Sequence, residues 1–431
     1  MRHFESALHI TGGRPLQGEL RVNTAKNSVL YLILASLLSD EPVVLKDVPR
    51  LRDVATILDI VAHFGASVRW QGRDVHLHAE SLVRSEAPYG LVSKMRASFV
   101  AMGALLGRCG SARMSMPGGC AFGPRPVDRH IKAFEQLGVQ LSEDGGDFVA
   151  RRLRPLAGRV VFDAPTVGGT QNVILASALG SGEVVIENAA LEPEVADLAE
   201  MLNRMGARIG GAGTATIEIG GVQRLHGVCY RPLPDRIEAG TFMLAAAATR
   251  GHVTLKDVRA EHLRAIIAKL AETGVEVLEL DAETLVVDAR GPLLPTDVTA
   301  VEYPGVPTDL QAPFGAFLAT VEGMSAVSDR VYPDRFTHIG ELARAGARCE
   351  LREGALLIRG GKLRGAQMHA ADIRAGSALV VAALAAAGTS TITGMQYLER
   401  GYENLAPRLR GLGAGVEQVG TLELATGTYG D

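Results

Sequence analysis

The chain has 431 residues, 47% apolar and 21% charged, enough for two or three globular domains with sizeable cores. A net charge of −4 argues against a general nucleic-acid binder. No run of about eighteen apolar residues marks a membrane span.

The opening "MRHFESALHI" carries Glu5 and no apolar stretch of the kind an export signal needs. Cys109, Cys120, Cys229 and Cys349 are far apart and form no C-x-x-C pair, so reduced thiols in the cytoplasm are expected.

One pattern then recurs along the chain. It begins at Ala25, Met95, Val167, Asp235, Pro307 and Asp372, at intervals of 65 to 72 residues. Each copy starts with polar residues and continues as an Ala- and Leu-rich helix. A Gly or acidic turn and a β-branched strand follow. A second helix comes next, amphipathic at i, i+3, i+4 spacing, as in "TILDIVAHFGASV" and "HIKAFEQLGVQL". These second helices stop at Gly65, Gly138, Gly206, Gly274, Gly346 and Gly413, a residue type suited to a left-handed helix end.

The unit reads strand, helix, strand, helix, strand (βαβαβ), in an α/β chain of six copies. Six copies of this length suggest two groups of three, each closing around its own helices. "YRPLP", Tyr230 to Pro234, is the best linker, and a cleft between two such domains would suit a small-molecule site.

Chemistry-bearing residues cluster at the polar openings. In chain order they are Lys26 and Asn27, Lys94 and Arg96, Arg236 and Glu238, Asp309, then Asp372 and Arg374. Helix N-termini favour anions, and added cations strengthen such a site. Asp309 and Asp372 could equally be helix caps, and Asp235 and Glu238 could pair with Arg236 locally. Arg125, Arg335 and Arg400 lie in less regular stretches and suit phosphate or carboxylate.

"GGCAFGPRP" places Cys120 on a Gly- and Pro-rich loop beside cationic residues, the setting of a working thiol. The other three cysteines read as core residues. His76 and His78 are better explained by strand alternation than by a metal. A P-loop and a Cys–His–Asn protease pattern are both missing, since His130 is only ten residues from Cys120.

The stretches "AKN", "MRASF", "PGGCAFGPRPVDRHI", "TVGGTQN", "PDRIEAGTF", "YPGVPTDLQA", "DRFTH", "DIRAGSALV" and "ERGYENL" resemble the UDP-N-acetylglucosamine 1-carboxyvinyltransferases, an enolpyruvyl transferase family. The resemblance spans essentially the whole chain and implies two inside-out α/β barrel-like domains of three units each. The N-terminal domain would be residues 21–232. Residues 1–20 with 233–431 would form the C-terminal one.

The implied reaction moves the enolpyruvyl group of phosphoenolpyruvate to the 3′-hydroxyl of UDP-N-acetylglucosamine and releases phosphate, the first committed step of peptidoglycan synthesis. No metal or organic cofactor is implied. The substrates would be the partners of a monomeric cytoplasmic enzyme, and fosfomycin would attack its cysteine.

By position, Lys26, Arg125 and Arg400 would hold phosphate, with Arg374 near the carboxylate and Asn27 close to the reacting centre. Cys120 would be the general acid, and Asp309 the base on the sugar hydroxyl. Arg96, Pro126, Val127, Asp128, Arg129, Thr166, Val167, Gly168, Val331 and Arg335 complete the implied substrate-binding set.

The chain departs from the family pattern at Asn23, Thr24, Ser28, Arg129 and Ala164, which bears on acceptor choice. A related transferase with another acceptor, or a non-catalytic UDP-sugar-binding paralogue, are the alternatives. The retained Cys120 and Asp309 argue against the second.

Overall fold

The structure is a computed structural model describing residues 6–92, 95–115 and 127–420, with Arg96 described by its backbone only. Helices without a polar face dictate the plan. Lys26–Ala35, Ala101–Cys109 and Val167–Ser177 are buried almost throughout, as are Arg236–Ala248, Gln311–Leu318 and Ile373–Ala385. A helix apolar on every side is stable in water only when other elements cover it.

Each unit supplies that cover with its own sheet and amphipathic helix. The described residues divide into two compact units, Thr24–Leu233 and the residues up to Asn23 together with those from Pro234 on. The crossings, at 23/24 and 233/234, fall close to the 20/21 and 232/233 boundaries that the resemblance implies; the first lies later because Gln17–Arg21 is a strand of the second unit.

Among the described residues there are six four-stranded sheets, three to a unit. One example gives the shared topology. Gly158–Val161 runs parallel to Glu183–Glu187, which pairs antiparallel with Thr216–Gly220; that strand closes a hairpin with Arg208–Gly210. The repeat is therefore βαβαββ, one strand longer than the sequence reading. The extra strand is an exposed edge: in Gln140–Asp144 only Leu141 is even half-buried, so no apolar alternation announces it.

Three sheets borrow a strand from elsewhere in the chain. Cys229–Tyr230 returns to lie parallel to Val43–Leu45, and Gln17–Arg21 lies parallel to His252–Lys256. Ala7–Thr11 is seated between Thr389–Thr393 and Gly415–Val419.

All six glycines that end the amphipathic helices have positive φ, from 73° at Gly138 to 115° at Gly65. An L side chain would strain there.

The cysteine expectation needs correction. Cys109 and Cys229 are exposed and Cys349 is half-buried, so none of the three is a core residue. Cys109 is the last residue of its helix, just before the left-handed Gly110, and Cys229 points away from the face on which Tyr230 is buried. His76 and His78 lie on the half-exposed face of a strand whose Val75 and Leu77 are buried. Among the described residues no helix is long and apolar enough to cross a membrane.

Backbone contact between the buried helices sets their spacing. A Cβ on Gly103 would stand 2.2 Å from the Asn172 carbonyl oxygen, so Ala101–Cys109 and Val167–Ser177 meet main chain to main chain. We expect Gly103→Ala to cost about 1–3 kcal/mol through overpacking, read as a lower urea midpoint. Gly90→Ala meets nothing within 4 Å and should be neutral or slightly stabilising.

Candidate active site

In the Thr24–Leu233 unit, Lys26 is the first residue of a helix whose cap, Ala25, offers no side-chain acceptor. Its ammonium lies 3.2 Å from Asp53 Oδ2, with both side chains more than nine-tenths buried. Asp53 sits in the first turn of Arg52–Phe64, where the helix dipole favours a carboxylate. Asn27 is half-buried beside Lys26.

Ser28 donates its hydroxyl to Asp197, which also accepts from Tyr230 O–H at 2.6 Å and Leu233 N–H at 3.3 Å. Burial pushes the Asp197 carboxyl up, against the pull of these donors. Ser28 therefore ties the helix start to the end of the unit. The other two departures near it are also used internally. Thr24 donates to the Asp47 carbonyl at 2.7 Å, and Asn23 donates through both its main chain and its side chain to Glu238.

The same unit carries two further short segments of the implied set. Val127 is buried at the start of Asp128–Gln136, while Asp128 and Arg129 are exposed. Thr166 caps Val167–Ser177, its hydroxyl oxygen accepting from Gly169 N–H at 3.3 Å, and Ala164, Val167 and Gly168 are half-buried. Cys120, Arg125, Pro126 and Lys94 lie outside the described residues, as does the Arg96 side chain.

In the other unit, three implied residues converge. Arg335 Nη1 and Arg374 Nε approach the same oxygen, Asp309 Oδ1, at 2.9 and 3.0 Å. The arginine side chains are 9% and 8% exposed and the carboxylate 22%, so the group is largely withdrawn from water yet open on one side.

Burial works against the charge on Arg374, but the Asp309 carboxylate, together with Tyr402 and Asp235, outweighs it and holds the guanidinium firmly protonated. Arg335 also donates to Thr308 at 3.1 Å, and Thr308 donates to Asp329 at 2.5 Å. Burial raises the pKa of Asp329, whose other oxygen accepts from Val331 and Tyr332 N–H at 2.9 and 2.8 Å. This fixes the backbone at Val331. Two guanidinium groups thus converge on one carboxylate oxygen. That arrangement can hold an anion and orient a hydroxyl near Asp309.

The remaining polar openings resolve differently. Asp372 is a cap: Oδ1 accepts from Arg374 and Ala375 N–H, and Oδ2 from Thr337 O–H at 2.9 Å. Asp309 is the cap residue of neither adjoining helix. Asp235 caps its helix, and Glu238 pairs with Arg408 rather than with Arg236, whose guanidinium lies 5.5 Å from the Tyr303 ring centre. Arg400 is half-buried just after the short helix Met395–Leu398.

Sequence reasoning missed Asp53, Thr308 and Asp329, which hold Lys26 and Arg335 in place. It missed Tyr402 too, whose buried hydroxyl lies 2.8 Å from Thr241. Asp53 follows Arg52 at a helix opening, but nothing local shows that its partner is Lys26, and only the fold brings the others near a cation.

A family model for EPSP synthase (3-phosphoshikimate 1-carboxyvinyltransferase) matches residues 10–409. The chain is similar to UDP-N-acetylglucosamine 1-carboxyvinyltransferase of Deinococcus radiodurans, with 54% identity over 95% of this chain and 97% of that one. To the Thermus thermophilus protein of the same name the identity is 55%, over 95% and 96%. Among solved structures, the enolpyruvyl transferase NikO from Streptomyces tendae superposes with a TM-score of 0.87 at 25% identity, covering 97% of this chain and 100% of that one. EPSP synthase from Acinetobacter baumannii shares the fold, with a TM-score of 0.73 at 18% identity over 96% and 100%.

His338, next to this cluster, gives a pH test. Burial pushes its pKa down from 6.5 to about 4, against the pull of Asp372 and with a smaller downward push from Arg335. Between those values the unfolded chain binds the extra proton and the folded one does not. Its contribution is therefore complete above pH 6.5 and is lost as pH falls towards 4. The loss should reach about 3 kcal/mol. Urea unfolding across this range should show a steep acid slope in the wild type and a shallower one in His338→Leu.

Proposed function

The chain belongs to the EPSP synthase family of carboxyvinyltransferases, and we propose that it transfers the enolpyruvyl group of phosphoenolpyruvate to the 3′-hydroxyl of UDP-N-acetylglucosamine. One observation carries this reading: identity of 54–55% across 95% of the chain with proteins named for that reaction. The reaction belongs to peptidoglycan precursor synthesis.

The step adds the sugar hydroxyl to the central carbon of phosphoenolpyruvate while the methylene carbon takes a proton. Elimination then breaks the carbon–oxygen bond to phosphate and removes a proton from the new methyl group. The products are the enolpyruvyl ether and inorganic phosphate.

In this reading Cys120 supplies the proton to carbon, and Asp309 orients the sugar hydroxyl and takes its proton. Arg374 faces the carboxylate of phosphoenolpyruvate, and Lys26, Arg125 and Arg400 hold the phosphate as it leaves. Asn27 lies close to the reacting centre. Arg96, Pro126, Val127, Asp128, Arg129, Thr166, Val167, Gly168, Val331 and Arg335 bind the substrates.

Two features of the chain support these roles. Lys26 and Arg374 are cations withdrawn from water, where fixed charge acts more strongly on a bound anion. Asp309 already stands between two arginines in an orientation set by Oδ1.

The test is phosphate release from phosphoenolpyruvate, with and without UDP-N-acetylglucosamine. Release should require the sugar nucleotide and be abolished in Cys120→Ala. Asp309→Ala should lower kcat by about 10²–10⁴-fold. Release without the acceptor, or none with it, would overturn the reading. Cys120→Asp should keep activity and lose sensitivity to fosfomycin; continued inactivation would place the drug elsewhere.

A further inference from the structure

We propose that His130 is a positioning residue for the sugar nucleotide, joining the two chain segments assigned to it; this rests on the functional reading above. His130 lies in the first turn of Asp128–Gln136, directly after Val127, Asp128 and Arg129. Its ring is buried and reaches the first turn of Val167–Ser177.

There the ring packs so closely that a side chain at Gly168 would require it to shift by a few tenths of an ångström. A Cβ on Gly168 would stand 3.1 Å from His130 Cε1 and 3.3 Å from Nε2, closer than ordinary van der Waals contact. Phe99 meets the ring edge-on with centroids 5.5 Å apart, so it cannot swing away from Gly168 without displacing another buried ring.

The hydrogen bonds also fix which nitrogen faces Gly168. Asn172 Oδ1 accepts from Gly103 N–H at 2.6 Å, so its NH₂ must face the other way. That NH₂ lies 2.9 Å from His130 Nδ1, which can only accept. The proton is therefore assigned to Nε2, on the side towards Gly168. Asn172 is wholly buried, and through it three helices are referenced to one imidazole.

Both segments belong to the sugar-nucleotide set of the functional reading, and neither is assigned to proton transfer. The ring sets the distance between the Val127–Arg129 and Thr166–Gly168 segments. A change there should alter recognition of the sugar nucleotide and leave recognition of phosphoenolpyruvate alone.

His130→Asn separates positioning from folding, because its amide oxygen can occupy the Nδ1 position and still accept from Asn172, while the outer half of the ring is removed. In the full-length protein it should raise KM for UDP-N-acetylglucosamine about five- to tenfold, with KM for phosphoenolpyruvate moving less than about twofold. Gly168→Ala should raise the same KM, and the double variant should lie closer to wild type than the product of the singles, since the new methyl group fills the vacated space. ¹⁵N spectra of labelled histidine, assigned by the His130→Asn difference, should show protonation at Nε2.

An unchanged KM for the sugar nucleotide in His130→Asn would overturn the inference. So would equal shifts in both KM values with a lower urea midpoint, multiplicative effects in the double variant, or a proton on Nδ1. A wild-type protein that releases no phosphate with both substrates present would instead strike at the functional reading, which these variant comparisons do not address.

Discussion

A helix enclosed by protein on every side can carry a polar group in its middle only where another buried group pairs with it, and charge is best placed at its ends; the rest of this molecule follows from that restriction. Three such helices fill the centre of each unit, so charge is displaced to their first turns. Lys26, Thr166, Gly168, Asp309, Arg236 and Arg374 all stand in or just before a buried helix. In these places main-chain N–H groups and the positive end of the dipole already favour anions. Structural economy and anion binding thus share positions, and a polar residue at a helix opening can serve either. Asp372 and Asp309 show the two outcomes: one satisfies helix N–H groups, the other holds two guanidinium groups.

The enclosure is completed by strands that are distant in sequence. Cys229–Tyr230 closes the first sheet of one unit, and Tyr230 and Leu233 then donate to Asp197, which also accepts from Ser28. The exit of the chain from this unit is thereby tied to the helix that begins with Lys26. In the other unit Ala7–Thr11 sits inside a sheet between strands from the C-terminal end. An inner strand has partners on both edges, so every main-chain group of this early segment can be satisfied only after the late strands are in place.

Buried charges in the candidate site are held by neighbours that have no chemical role of their own in the proposed reaction. Asp53 pairs with Lys26, and Thr308 links Arg335 to Asp329. Such partners keep a desolvated group ionised and in one orientation, which a solvated side chain would not maintain. The His130–Asn172 pair does the same with neutral groups, using a tautomer in place of a charge.

Much of this was legible in the sequence. The sixfold repeat, the alternation of enclosed and amphipathic helices and the six terminating glycines follow from local composition, because period, burial and φ preference act over a few residues. The cations at helix openings and the Cys120 loop are equally local, as is the family resemblance built on them. What the sequence could not supply is which distant group each of these would meet. The hairpin edge strands bury too little to leave a pattern, and the two exposed cysteines looked apolar only because their helix and strand did. Tertiary packing alone decided that Asp309 would stand between Arg335 and Arg374, and that Asp372, a local cap, would also receive the Thr337 hydroxyl. The same packing brought the ring of His130 against Gly168. Each of these depends on a contact between segments dozens of residues apart, and the free energy of such a contact exists only once the helices between them are enclosed.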